Sequence, residues 1–402
     1  MKKGGSMTLQ RLNESSRRFK IDWMLVTLIL SLALISIIAL YGAIPLTPSN
    51  VNGLDFLIKQ IIWYVLGFLT LAFLIYMGVD RLFSMSIIFY WILVFLLGLL
   101  ILDSFINLPL IAPINGARAW IQIPGVGTIQ PSEFMKIILI IRASEIIHQH
   151  QQYRLKMSYW DDIVLFLKIG KILALPLILI VLQPDTGIPL VIVVSLIVML
   201  AMSAIKPQWI VVGGLSAVAL FGGIIFLFET NPQLLGQLVG GGYRLTRFYG
   251  WLRPEQYILT WGAQLYTALM AIGSAGVTGH GAASIAISFA EPQNDFIFAV
   301  IAKNYGLIGV GITILVSLLF NLKLVLVALR FDGLKEKYMV AGLLGMLFFQ
   351  QFQNMGMVVG LLPITGITLP LISAGGSSLL SYMIPLAVIF HMSSETKRKT
   401  AH

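Results

Sequence analysis

Cysteine is absent from the 402 residues. That excludes a disulfide framework, a thiolate metal site and a thiol nucleophile. Histidine is scarce, with five in the chain, and none are paired at a spacing that suits zinc. Charge is scarce as well: Asp, Glu, Lys and Arg make up 11% of the chain, against about 25% in an ordinary soluble domain. Too little polar material remains to clothe a water-soluble fold of this size. No internal repeat of the kind that marks many inverted-repeat transporters is visible.

What is present is hydrophobic, at 58% of residues. A hydrocarbon core of about 30 Å needs ~20 apolar residues per helix. Runs of that kind predict ten spans near 23–44, 56–78, 82–102, 131–148, 168–183, 186–204, 208–228, 296–322, 339–362 and 376–394. The first run lacks a small-residue cleavage site and reads as a span rather than a secretory signal. The net charge of +10 does not point to nucleic acid, because most lysines and arginines flank the spans on one face. Lys20, Arg81, Arg154, Lys156, Lys168, Lys171, Lys206, Lys323, Arg330 and Lys397 all fall there. The positive-inside rule makes that face cytoplasmic and puts both chain ends inside. The expected fold class is an all-α polytopic membrane protein, one integral membrane domain over 1–402. Cytoplasmic tails cover 1–22 and 395–402, and two long extracellular loops cover 103–130 and 229–295.

The chemistry-bearing residues gather at the outward ends. Gly116-Ala117-Arg118-Ala119-Trp120-Ile121 precedes Gln130-Pro131-Ser132-Glu133, with Lys136 one turn further. Pro131 suits a first helical turn, and Glu133 and Lys136 share a helix face. They read either as a structural salt bridge or as charges lining a polar cavity. Trp120 reads as an interfacial anchor or a substrate contact, and Arg118 as a solvated charge or an anion contact. In Gln183-Pro184-Asp185-Thr186-Gly187, Asp185 or Thr186 would cap the next helix. Arg244, Arg247 and Arg253 cluster on a face otherwise poor in base, which suits a lipid headgroup or a pyrophosphate. The glycine-rich run 272–281 lacks the Gly-Lys-Ser/Thr of a nucleotide loop and allows close backbone approach or helix packing. Asp295 stands at the mouth of a span among aromatics. It reads as a helix cap or as a general base with a raised pKa. The linker 362–378 carries Ser373, Ser377 and Ser378, and irregular backbone at that depth must be buried or line a wet cavity.

In order along the chain, these segments resemble the SEDS family (shape, elongation, division and sporulation), typified by RodA and FtsW. The pieces are Gly116–Ile121, Gln130–Glu133 with Lys136, Gln183–Gly187, Ala271–Ser274, Glu291-Pro292 with Asp295–Phe298, Asn354–Met357, Pro363–Gly366 and Gly375–Ser378. The chain departs from the family pattern at Gln293-Asn294, Thr267-Ala268, Thr368, Ala374 and Lys303-Asn304, sparing Asp295, Glu133 and Lys136.

The resemblance implies a peptidoglycan glycosyltransferase of the bacterial cytoplasmic membrane, with its active site facing outward. Lipid II would be the substrate and a class B penicillin-binding protein the transpeptidase partner, beside other membrane proteins of the elongation or division complex. Asp295 would be the catalytic residue. Arg118, Trp120, Glu133, Lys136, Asp185, Arg244, Arg247, Ser373, Ser377 and Ser378 are the expected substrate contacts, and no residue is assigned to a metal. The short tails lean toward a RodA-like role in elongation and cell shape. The expected reaction is inverting: the acceptor hydroxyl attacks the donor's anomeric carbon, Asp295 takes the proton, and undecaprenyl pyrophosphate leaves. Positive charge must meet that pyrophosphate, from arginine, lysine or a divalent cation (Mg or Mn). The rival expectations are a lipid II flippase, motivated by Glu133, Lys136, Arg142, Glu145 and Lys303, an FtsW-like division protein, and a scaffold for a transpeptidase.

Overall fold

The computed structural model describes residues 19–47, 53–106, 111, 113, 118–123, 127–154, 158–185, 187–238, 242–282, 284 and 291–399. Gly116-Ala117, Lys156 and Thr186 from the sequence reading lie outside the described residues, as does the side chain of Arg244.

The helices are α1 (Trp23–Ala43), α2 (Gly53–Met77), α3 (Val79–Ile106), α4 (Pro131–Gln152), α5 (Tyr159–Val181), α6 (Gly187–Met202), α7 (Pro207–Thr230), α8 (Pro232–Leu238), α9 (Gly242–Leu252), α10 (Ala263–Ala275), α11 (Ile297–Arg330), α12 (Leu334–Val358) and α13 (Gly376–Lys399). Seven of them, α1, α2, α3, α5, α7, α11 and α13, are long and apolar enough to cross a membrane. Helices α4, α6 and α12 lie over the other three expected spans. Helix α6 is only 16 residues long. Helices α4 and α12 bury polar residues, among them Glu133, Lys136, Gln350 and Asn354. Inner helices face one another rather than lipid, so polar groups there can bond across the interface. The outer surface carries Leu34, Leu69, Phe73, Phe95 and Leu215 exposed, an apolar belt that suits hydrocarbon and not water.

Three details differ from the sequence expectation. Helix α5 begins at Tyr159, nine residues before the expected 168, because Ser158 caps it, accepting a bond from the Trp160 amide at 3.3 Å. The expected loop 229–295 contains α8, α9, α10 and a 3-10 turn at Pro254–Tyr257. Within 103–130, Ile121–Ile123 (β1) pairs antiparallel with Gly127–Ile129 (β2).

Both ends of the described chain meet at one end of the bundle. The Lys20 amide donates to Ser394 Oγ at 2.9 Å. Buried Asp22 pairs with Lys323 of α11 at 2.8 Å and Lys397 of α13 at 3.3 Å. Burial opposes the Asp22 charge, but hydrogen bonds from Lys323 and Ser393 and the two lysine charges outweigh it and hold the pKa at about 2.

Helix α11 is broken at Gly306, whose φ is +60°. The glycine-rich segment after α10 satisfies the break. The His280 and Gly281 amides donate to the Lys303 and Asn304 carbonyls at 2.9 and 3.0 Å, and the Leu307 and Ile308 amides donate to Gly276 and Val277 at 3.1 and 3.2 Å. A Cβ at Gly306 would lie 2.5 Å from the Gly279 nitrogen. The run 272–281 is therefore a backbone clasp within the fold, the packing alternative of the sequence reading.

Candidate active site

Asp295 sits one residue before the cap of α11. That cap is Phe296, with no side-chain cap bond, so the capping alternative for Asp295 does not hold. Its backbone carbonyl accepts from Asn354 Nδ2 at 2.8 Å, and the same nitrogen donates to the Ile367 carbonyl at 2.8 Å. One buried amide on α12 thus fixes the aspartate segment against the linker 359–375. A second tie runs from the Ala374 amide to the Gln293 carbonyl at 2.9 Å. Gly366, with φ +72°, faces the carboxylate: a Cβ there would stand 3.9 Å from Asp295 Oδ2. Glu291 holds φ +50°, a conformation costly for a residue with a side chain. Its carboxylate accepts from Asn294 Nδ2 at 2.6 Å.

The Asp295 side chain is partly accessible, yet protein surrounds it. Desolvation pushes its pKa up to about 7, and the nearby Glu291 charge adds to the rise. A hydrogen bond from its own backbone and the Arg247 guanidinium pull the other way. Arg247, on α9, also donates to the Ile364 carbonyl at 3.4 Å. Trp251, one turn on, donates to the Gly360 carbonyl at 2.9 Å, so α9 straps down the same linker.

A second polar group, near Asp185, is a buried chain. Glu133 Oε2 lies 2.5 Å from Lys136 Nζ. Lys136 donates to Tyr382 Oη at 3.3 Å, which donates to Gln350 Oε1 at 2.9 Å. Lys136, Tyr382 and Gln350 are almost wholly buried, so α4, α13 and α12 are joined through one charge pair. Asp185 accepts from the Gly187 and Ile188 amides at 3.1 and 3.2 Å, capping α6. Its other oxygen accepts from Gln130 Nε2 at 3.0 Å. Burial raises the Asp185 pKa, Glu133 adds to that, and the amide bonds and Lys136 oppose it.

The remaining expected contacts divide. The Ser377 hydroxyl accepts from the Gln130 amide at 2.9 Å and donates to the Thr128 carbonyl at 3.1 Å. Ser373 Oγ accepts from the Leu369 amide at 2.8 Å. The Ser373 hydroxyl holds backbone within the linker, the Ser377 hydroxyl ties the start of α13 to β2 and the entry to α4, and the Ser378 carbonyl accepts from Ser381. Trp120 is partly exposed. Arg118 is not a solvated loop charge: it pairs with buried Asp103 of α3 at 2.7 Å and bonds the Asp103 carbonyl at 2.8 Å. Arg253 lies apart, paired with Glu229 at 2.7 Å.

Sequence reasoning missed Asp103, Gln60, Gln350 and Tyr382. Gln60 of α2 donates to the Ser36 hydroxyl and the Ser373 carbonyl at 3.1 and 3.3 Å. Gln60 and Tyr382 give only the signal of a single polar residue in an apolar run, Asp103 that of an acid at the end of one, and Gln350 that of the amide cluster Gln350-Gln351-Phe352-Gln353-Asn354. Among the described residues no group of three or more His, Asp or Glu could hold a metal ion.

Trp63 of α2 seals the start of α13. A Cβ at Gly376 would fall 2.1 Å from Trp63 Cε2. Gly376→Ala is therefore expected to displace the indole and cost about 1–3 kcal/mol, read as a lowered melting temperature in detergent.

The cell cycle protein family FtsW/RodA/SpoVE matches residues 20–398. The chain belongs to this family. Among its relatives, the probable peptidoglycan glycosyltransferase FtsW of Lactococcus lactis is 33% identical over 306 residues, 72% of each chain. Stage V sporulation protein E of Bacillus subtilis is 33% identical, covering 69% of this chain and 72% of its own. A solved chain from a peptidoglycan synthase complex superposes with a TM-score of 0.72 at 26% identity, over 94% of this chain and 98% of its own. The crystal structure of RodA from Thermus thermophilus gives 0.62 at 26% identity, over 93% and 97%. These comparisons establish a SEDS protein with a multi-pass membrane fold. The leaning toward RodA is divided: the sequence relatives named here carry FtsW and sporulation names, the crystal structure a RodA name.

Proposed function

We propose that this SEDS protein is a peptidoglycan glycosyltransferase that extends glycan strands from lipid II, with Asp295 as the general base. One observation carries the reading: a partly accessible carboxylate, unused as a cap, whose pKa stands at about 7. A base is most effective when its pKa lies near the working pH. The acceptor hydroxyl gives its proton to Asp295 as its oxygen bonds to the donor's anomeric carbon. The bond from that carbon to the pyrophosphate oxygen breaks, and the electron pair leaves with undecaprenyl pyrophosphate. Attack from the side opposite the leaving group inverts the anomeric centre. Arg247, within electrostatic reach of Asp295, is placed to meet the pyrophosphate, and a charged donor there is worth most in a water-poor site.

The basic end of the bundle faces the cytoplasm, which turns Asp295 and the linker outward. A class B penicillin-binding protein is the proposed partner, in keeping with the synthase complex that the fold matches. Within the family we favour elongation and cell-shape control. A division role is the second reading, supported by the FtsW names of the relatives. A flippase draws less support, since the charges that motivated it are satisfied locally. Glu133 pairs with Lys136, Arg142 with Glu145, and Lys303 with the Ser284 carbonyl.

Purified protein, alone and with a class B penicillin-binding protein, should convert lipid II in detergent into long glycan strands. Folded protein that makes no polymer in either condition, yet moves lipid II across sealed vesicles, would refute the enzyme reading.

A further inference from the structure

At the end of the bundle opposite Asp295, the last turns of α4 and the first turns of α5 splay apart around a cavity of about 900 Å³. Its wall is cationic and aromatic: His150, Tyr153, Arg154, Trp160, Lys168 and Lys171. The charges are not equivalent. Arg154 is already paired with buried Asp162 at 2.7 Å and donates to the Ala204 carbonyl at 3.1 Å. Asp161 also lines the wall and sets one negative charge against the rest. Lys168 and Lys171 are exposed, and among the described residues neither has a carboxylate within ion-pair distance. Lys168 Nζ lies 3.4 Å from His150 Nδ1, a second nitrogen at the same wall.

Two features say what kind of molecule fits. First, the lysines sit on a membrane-crossing helix. Continuing along α5 from Lys168 and Lys171, the same face carries Leu175, Ile178 and Leu182, all exposed. Steps of three and four residues keep them in one stripe. A phosphate held at the lysines would therefore sit at the top of an apolar track running into the bilayer. Second, Tyr153 and Trp160 flank the cavity, 83% and 68% exposed, as aromatics do at headgroup level. Basic pockets between helices at this depth suit phosphate-bearing headgroups.

We propose that this cavity is a binding site for the phosphodiester headgroup of an anionic phospholipid, gripped by Lys168 and Lys171, with an acyl chain along Leu175, Ile178 and Leu182. The site is independent of the glycosyltransferase reading. It anchors the α4–α5 corner to the leaflet on the basic side, at the far end of α4 from the Glu133–Lys136 pair.

Native mass spectrometry of the full chain released from micelles tests it, with phosphatidylglycerol and phosphatidylcholine as probes. Wild type should retain phosphatidylglycerol over phosphatidylcholine. Lys168→Gln/Lys171→Gln should bind it about 30-fold more weakly, the fold-change that two surface charges of ~1 kcal/mol each convert to. Lys168→Arg/Lys171→Arg should keep the binding, and so should the charge-matched Arg330→Gln/Lys337→Gln elsewhere on the basic end. Adding inorganic phosphate distinguishes the sources. If it fails to displace the lipid, the headgroup is the ligand; if it competes at millimolar concentration, the same lysines serve free phosphate. Equal retention of the two lipids by wild type, or unchanged phosphatidylglycerol binding by the glutamine variant, would overturn the proposal.

Discussion

Asp295→Asn is expected to lower glycan polymerisation by roughly 10²–10⁴-fold while the protein stays folded. The amide keeps the shape of the side chain and removes its capacity to take a proton. The backbone contacts that place it, from Asn354 to the Asp295 carbonyl and from Ala374 to Gln293, do not involve the carboxylate. Stability should move the opposite way. The folded pKa of about 7 stands above the ordinary 3.8, so between those values the folded state keeps a proton that the unfolded chain has lost. The contribution of this proton to stability is complete below about pH 4 and is lost as pH rises through about 7. The asparagine variant should therefore melt above wild type at pH 8 and with it at pH 4. Partial exposure of the carboxyl trims the difference. Thermal melts in detergent at the two pH values read it directly. Lost activity with gained stability marks a functional carboxylate; a loss of both would assign Asp295 a structural role.

The second large effect belongs to the buried pair. Lys136→Met is expected to destabilise the protein by about 3–5 kcal/mol, because it strands Glu133 as an uncompensated charge. It also removes the donor to Tyr382 that joins α4 to α13 and α12. Glu133→Gln/Lys136→Met, which removes both charges, should recover most of that loss, since replacing a buried pair by neutral groups is often close to neutral. The two single changes are thus strongly non-additive, measurable by denaturant unfolding in micelles. If the pair only holds the fold, the double variant regains polymerisation along with stability. If it lines the donor site, stability returns and activity does not.

Much of this architecture was readable in the sequence, for a physical reason. A lipid environment demands long apolar helices, and each expected span has a helix over it. The Asp185 cap was readable too, since a short acidic side chain before a helix has little else to do. What could not be read falls into two kinds. Contacts between residues far apart in sequence leave no local pattern: Arg118 meets Asp103 and Gln60 meets Ser373 only once the helices pack. The structured pieces inside 229–295 were hidden because α8 and α9 are short and interrupted by glycine and proline, below the length at which periodicity speaks. The β1–β2 hairpin did leave a trace, the alternation Ile121-Gln122-Ile123 and Gly127-Thr128-Ile129, overlooked beside the stronger helical signals. Among the site residues, Asp295 was marked by its place before an apolar run. Ser373 and Ser377 looked equally available for substrate, and only the structure shows their hydroxyls holding backbone.

The pH dependence of polymerisation under saturating lipid II bears most directly on Asp295 as the base. A base with a pKa of about 7 predicts a rate that climbs about tenfold per pH unit below that value and levels above it. The asparagine variant should show a small rate without that rise. A wild-type rate that stays flat from about pH 5.5 to about 8.5 while chemistry is rate-limiting would contradict the assignment of Asp295 as the general base.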